Sequence, residues 1–259
     1  MQKDLISKIL NSKKYKHICP DVVINIYEIE RKKFKKQRDI LKSVKRRLHQ
    51  IYGSFLKPYE YRKIEKYLDL ISDNNLKDIC KKILEIHTST KERLSFYENL
   101  YREIFDVTGI PKSISDLACG LNPFSIPLMN LNKSINYFAY DIDEQLINLT
   151  NKFFKIMNFP PLGICQDVIF NPPYENTDLC FIFKFLPIIE KIKRNFILEF
   201  LKGLNSRFII ISFPLKSLTG KEKGMLEHYN KFYITIIEKF FKILKSLSFQ
   251  NEIFIIIEK

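Results

Sequence analysis

Residues 113–143 constrain this chain more than any other stretch. A short apolar run, Ser113 to Leu117, breaks at Ala118-Cys119-Gly120-Leu121-Asn122-Pro123, and a second run, Tyr137-Phe138-Ala139-Tyr140, ends on Asp141. A strand that delivers a tight turn, followed about 20 residues later by an acid closing the next strand, is the layout of a nucleoside-cofactor cradle. The acid takes the ribose and the turn takes what hangs from it. A pyrophosphate would need several glycines, so that backbone N–H groups could close on it. Here Gly120 stands alone in its turn and Pro123 has no N–H to give. The pattern favours a cofactor without phosphate, S-adenosylmethionine ahead of a dinucleotide.

Beyond Val107, short β-rich runs alternate with helical stretches: Ser113–Leu117, Ile135–Asp141, Leu162–Gln166, Asp178–Phe183 and Arg207–Phe213. Strands separated by helices predict a parallel sheet covered on both faces. Met225 to about Phe240 has the period of another amphipathic helix. Lys242–Phe249, the turn pair Gln250-Asn251 and Glu252–Glu258 predict a closing antiparallel hairpin. Ahead of Val107 the grammar is helical, with Gly53 the sole glycine between Asp4 and Phe105. The expected architecture is therefore a helical unit over 1–106 followed by a Rossmann-like α/β unit over 107–259.

The charge is uneven. Lys plus Arg number 43 against 29 Asp plus Glu, a net +14, and residues 1–106 carry 25 basic and 15 acidic side chains of that total. An excess of this size holds a protein on a polyanion through counterion release. The spacing predicts one helix over 30–52, with Phe34, Leu41, Val44, Leu48 and Ile51 on one face and Lys32, Lys33, Lys35, Lys36, Arg46 and Arg47 among the cations on the rest. Those six are the expected phosphate contacts. Tyr52, Phe55, Tyr59 and Tyr61 follow, ready either to stack on bases or to pack between helices. Five scattered cysteines without Cys-x-x-Cys spacing argue against a disulfide framework or a zinc site, and four histidines show no metal spacing. No apolar run approaches 18 residues and the Met-Gln-Lys-Asp start lacks a signal-peptide pattern, which makes the cytoplasm the expected compartment.

Six blocks, in order, are similar to a known family: LHQIYGSF (48–55), IHTSTKER (86–93), DLACGLNP (116–123), YDID (140–143), FKFLP (183–187) and SFPLKSLTG (212–220), the last followed by Lys223-Gly224-Met225. Through them the chain resembles the 16S ribosomal RNA guanine-N7 methyltransferases of aminoglycoside resistance, whose target is guanine 1405. The resemblance implies a Rossmann-like fold, S-adenosylmethionine as cofactor, and 16S rRNA in the 30S subunit as partner, with the enzyme a monomer. It implies that Asp141 binds the ribose, that Asp167 with Val168 frames the adenine, and that Ala118, Cys119 and Gly120 line the methionine end. Arg93 would pair with the cofactor carboxylate, and His87, Ser89, Ile142, Phe183 and Lys184 would complete the wall. Thr88, Ser89 or Thr90 would cap the helix presenting Arg93, leaving His87 structural. Ser212 and Lys216 would meet the RNA. Two positions depart from the family: Ala118 stands where Gly is common, which should only crowd the methionine slightly, and Lys216 stands where Arg is common.

Asn171-Pro172-Pro173-Tyr174 matches the tetrapeptide of exocyclic-amine methyltransferases, where it follows the fourth strand. Here the best fourth strand, Asp178–Phe183, comes after it, so the pair of prolines reads as a rigid loop. Guanine N7 carries a free lone pair, so positioning and desolvation suffice and no catalytic acid or base is expected. Methylation of adenine N1 or of an exocyclic amine, and a non-catalytic rRNA-binding assembly factor, stay open as rivals.

Overall fold

The computed structural model describes residues 2–52, 56–131, 134–214 and 233–259. Its strands fall where the apolar runs predict them: β1 (Ser113–Leu117), β2 (Asn136–Asp141), β3 (Gly163–Cys165), β4 (Thr177–Phe183), β5 (Ser206–Pro214), β6 (Lys242–Phe249) and β7 (Glu252–Glu258). They form one sheet in the order β3-β2-β1-β4-β5-β7-β6. The first five pair in parallel, and β7 runs antiparallel to both β5 and β6. Leu179 to Ile182 and Phe208 to Phe213 are buried without a break, the mark of strands covered on both faces. Successive crossovers run outward from β1 to β3, then return to β4 on the other side of β1. The carboxyl ends of β1 and β4 thus flank the switch point where open α/β sheets keep their ligands.

Seven helices precede the sheet in the chain: α1 (Gln2–Leu10), α2 (Pro20–Arg31), α3 (Gln37–Ile51), α4 (Pro58–Asp69), α5 (Leu76–Leu84), α6 (Thr88–Lys91) and α7 (Tyr97–Thr108). α8 (Glu144–Ile156), α9 (Leu186–Ile192) and α10 (Ile197–Gly203) lie between strands. Residues 233–240 are helical too, while the earlier part of the helix expected from Met225 lies outside the described residues.

The single helix expected over 30–52 is two helices. α2 ends at Arg31, α3 begins at Gln37, and the turn between them is exposed throughout. Five cations among residues 31–36 would face one another at i,i+3 and i,i+4 on a continuous helix, so the break relieves like-charge repulsion. Glu30, only 2% exposed, anchors the break. It pairs with Lys33 Nζ at 3.0 Å and Arg47 Nε at 2.8 Å, and accepts the Ser43 hydroxyl. Phe34, expected on the apolar face, sits in the turn at 37% exposure, whereas Ile40, Val44 and Leu48 are buried.

The hydrophobic cores part near residue 52, not at 107. Leu5, Ile9, Val23, Ile26, Val44 and Leu48 make a small core of their own. Ile64, Ile83, Tyr97, Leu100 and Ile104, from α4, α5 and α7, instead share the core on one sheet face with Ile114, Phe181, Ile210 and Phe254. Ile189, Phe200 and Leu201 cover the other face against Ile209, Ile211 and Ile257. The first unit is also stitched to the sheet through its backbone. Cys19 N–H donates to Ile142 C=O at 2.7 Å, Glu144 N–H donates to His17 C=O at 2.9 Å, and Ile18 bridges Asp143 antiparallel.

Candidate active site

Register brings the site together. Leu117 lies beside Tyr140, and Asp141 beside Cys165, so the segments leaving β1, β2 and β3 start from one rim. Together with the end of β4 they enclose a cavity of about 310 Å³. Asp141 ties the rim: its Oδ2 accepts Gly120 N–H at 2.9 Å and its Oδ1 accepts Asp143 N–H at 3.1 Å. Asp143 in turn caps α8, accepting Leu146 N–H at 3.1 Å, and takes the Tyr61 hydroxyl.

The turn after β1 is left-handed at two of three residues, with φ of 52° at Ala118 and 51° at Gly120. The departure from glycine at 118 therefore acts on the backbone, beyond the slight crowding expected of it, because an L side chain in this region costs about 1–2 kcal/mol. Ala118→Gly should raise stability by about 0.5–1 kcal/mol once the looser unfolded chain is counted. Urea denaturation measures this, and a loss of stability would refute the strain.

Four carboxylates line the cavity: Asp116, Asp141, Asp143 and Asp167. Burial pushes Asp116 up to about 7, although Tyr137 OH at 2.6 Å and Asn122 Nδ2 at 2.9 Å donate to it. Burial, then the neighbouring Asp143, pushes Asp141 up to about 6. Burial raises Asp143 and Asp167 as well. The cations on the wall have partners of their own. Arg93 meets Glu252 in a fork, Nη2 to Oε1 at 2.6 Å and Nε to Oε2 at 3.0 Å, and lies 4.7 Å over the Phe183 ring. Lys184 Nζ reaches Glu92 at 2.9 Å and Glu252 at 3.2 Å. A carboxylate-rich rim on an otherwise largely apolar wall suits a ligand that carries positive charge.

His87, Ser89, Arg93, Ala118, Cys119, Gly120, Asp141, Ile142, Asp167, Val168, Phe183 and Lys184 all line this one cavity. The helix cap comes from His87 and not from the hydroxyls: its ring accepts Ser89 N–H at 3.3 Å, and burial pushes it down to about 4. The Thr90 hydroxyl bonds Leu84 C=O instead, at 2.6 Å. Unforeseen wall residues come from the first helices, namely Val22 and Ile26 of α2 and Ile51 and Tyr52 at the end of α3. The i,i+4 spacing of Val22 and Ile26 signals only an apolar helix face, and part of that face covers the cavity.

The expected RNA contacts divide. Lys32, Lys35, Lys36 and Arg46 are exposed, and Lys33 is exposed but paired with Glu30. Arg47 is turned inward, where it pairs with Glu30 and donates Nη1–H to Ile192 C=O at 3.2 Å. Ser212 is fully buried, donating to Glu252 and accepting Lys184 N–H at 3.0 Å, so it cannot meet a phosphate. Lys216 and Phe55 lie outside the described residues. Of the tyrosines, Tyr61 is buried and Tyr59 is 55% exposed. Asn171-Pro172-Pro173-Tyr174 precedes β4, with Asn171 exposed and Tyr174 84% exposed, and none of the four lines the cavity. Lys184-Phe185 holds the place at the end of β4. All five cysteines are free thiols. Among the described residues no cluster suits a metal ion, and no helix is long and apolar enough to cross a membrane.

Comparison with known proteins fits this geometry. The ribosomal RNA methyltransferase (FmrO) family matches residues 11–252. The chain is 31% identical to the 16S rRNA (guanine(1405)-N(7))-methyltransferase of Serratia marcescens, over 99% of this chain and 98% of that protein. It is 30% identical to the enzyme of the same name from Proteus mirabilis, over 99% and 96%. The structure superposes on that of the 16S rRNA methylase RmtB with a TM-score of 0.86 at 28% identity, covering 100% of this chain and 98% of that one. With its cavity at the β1/β4 switch and a family match across nearly its whole length, the chain belongs to the FmrO family of ribosomal RNA methyltransferases.

Proposed function

We propose that this protein transfers the methyl group of S-adenosylmethionine to N7 of guanine 1405 in 16S rRNA, acting in the cytoplasm as a single chain on the assembled 30S subunit. The observation that carries the reading is the convergence of Asp141, Asp167, the Ala118–Gly120 turn and the Arg93 wall on one carboxylate-rimmed cavity at the switch point. The residues fit the cofactor. Asp141 offers acceptors to ribose hydroxyls, Asp167 with Val168 frames the adenine, and Arg93 keeps N–H donors beyond the two that Glu252 takes. The cofactor supplies an electrophilic methyl on a sulfonium, and the acidic rim suits that positive charge.

The chain's own work is placement. N7 has a lone pair and no proton to lose, so the wall need only hold the base in line and keep water out. The largely neutral, ring-capping His87 is then a structural element and not a base. Drawing the base out of its stack costs a few kcal/mol, which phosphate contacts offset. The exposed turn between α2 and α3 supplies these. Neutralising Lys32, Lys35 and Lys36 together should weaken 30S binding and make its log–log salt dependence shallower by about 2–3, since each phosphate contact contributes close to one. An unchanged slope moves the RNA face elsewhere. Lys33 is left intact because it holds Glu30.

Mass mapping of 16S rRNA from bacteria expressing the protein tests the product. The expected modification is N7-methylguanosine at 1405, with resistance to gentamicin and kanamycin and continued sensitivity to apramycin. N7 methylation fixes a positive charge on the base and removes its Hoogsteen acceptor, which repels a cationic drug bonded there. A methyl on adenine, or on an exocyclic amine, would refute the assignment.

A further inference from the structure

α2 brings one polar side chain to the cavity's adenine corner. Asn25 sits between Val22 and Ile26, which line the cavity, and its Nδ2 donates to Asp167 Oδ2 at 3.1 Å. The other carboxylate oxygen, Oδ1, accepts Ile169 N–H at 3.2 Å. Asp167 is 4% exposed, and no Lys or Arg is bonded to it among the described residues. Burial works against its charge, while Asn25 and the backbone N–H groups of Ile169 and Phe170 hold the ionised form in place. The donor is held firmly. α2 is fixed at its start by the Cys19–Ile142 bond and at its end by buried Glu30, which Arg47 links onward to Ile192.

We infer that Asn25 is a positioning residue for the cofactor: it fixes the Asp167 carboxylate so that its remaining lone pairs serve the adenine amino group. The inference rests on the reading of Asp167 as the adenine acid given above. An amide suits the task. A leucine would leave the buried carboxylate without this donor, and an aspartate would set a like charge beside it. The side chain that orients the acid therefore belongs to the first helical unit, while the segment after β3 provides the acid and its backbone donors.

Calorimetry with S-adenosylhomocysteine and with its inosine analogue, which lacks the amino group, tests this on the full-length protein. The wild type should prefer the adenosine form. Asn25→Ala should lose affinity for it on the order of tenfold, as for a hydrogen bond to a charged group, and lose most of the preference. Asn25→Asp should lose more. In a double-mutant cycle, Asn25→Ala added to Asp167→Asn should cost little further. If Asn25→Ala is poorly folded by thermal melting, Asn25→Leu, which keeps the volume and lacks a donor, is measured in its place. Undiminished preference in a folded Asn25 variant overturns the inference while leaving Asp167 in place. Equal binding of the two ligands by the wild type, or full affinity in Asp167→Asn, overturns the adenine reading itself, and the inference falls with it.

Discussion

Glu252→Ala should lower the stability of the fold by about 3–5 kcal/mol, the cost of leaving a buried cation without its partner. Arg93 and Glu252 are 3% and 2% exposed at the side chain, joined by two hydrogen bonds, and further tied to Ser212 and Lys184. Arg93→Ala should cost less, since Lys184 and Ser212 still hold the carboxylate. Replacing both by apolar residues of similar size, Arg93→Met with Glu252→Leu, should recover most of the loss, because desolvation of the pair offsets much of its attraction. Urea denaturation reads all three. The apolar pair separates two roles: if Arg93 also meets the cofactor carboxylate, the recovered fold still binds S-adenosylhomocysteine poorly. Single variants costing under about 1 kcal/mol would show that the pair is not a keystone.

Asp141→Asn is expected to pull stability and function in opposite directions. Losing hydrogen bonds from an ionised acceptor should weaken cofactor binding by about 1–3 kcal/mol. The empty protein, by contrast, should become more stable at neutral pH. Burial and Asp143 raise the Asp141 carboxyl from its ordinary 3.8 to about 6, so the folded state holds that proton more tightly than the unfolded chain. The resulting stability is fully present below pH 3.8 and is lost as pH rises through 6. The variant's advantage over wild type should then be small near pH 4 and reach its full size by pH 7. His87, shifted the other way, cancels in the comparison. Equal melting temperatures of variant and wild type at pH 7, with calorimetry showing equal affinity, would remove Asp141 from the site.

Local features of this site were legible in the chain. β1 occupies Ser113–Leu117 as read from its apolar run, and the hairpin of β6 and β7 turns at Gln250-Asn251 where its polar pair predicts. The Gly120 turn and Asp141 declare themselves because strand, turn and acid are consecutive. What escaped depends on partners far along the chain. Arg93 and Glu252 are 159 residues apart, and Arg47 reaches across the break between α2 and α3 to Glu30 and on to a carbonyl 145 residues away, so the spacing along one helix marks neither arginine as paired. Ser212 stands beside a loop that the blocks assign to RNA, yet β5 is covered on both faces from Phe208 to Phe213, so its hydroxyl is enclosed. Helical period likewise gives a buried face without naming its partner. Period alone therefore sets α4, α5 and α7 with the first helices, although they cover the sheet.

The backbone stitch between His17–Cys19 and Ile142–Glu144 also bears on how such enzymes diversify. A front segment joined by a flexible tether can be exchanged like a cassette, and the catalytic core keeps its ligand. Here the segment hydrogen-bonds to the residues immediately after Asp141 and lays Val22 and Ile26 over the same cavity. A chimera with a foreign front end therefore receives a new ceiling for its cavity along with a new set of surface charges. Retargeting and cofactor retention have to be solved as one design problem. Substitutions drifting along α2 will be filtered by both demands at once.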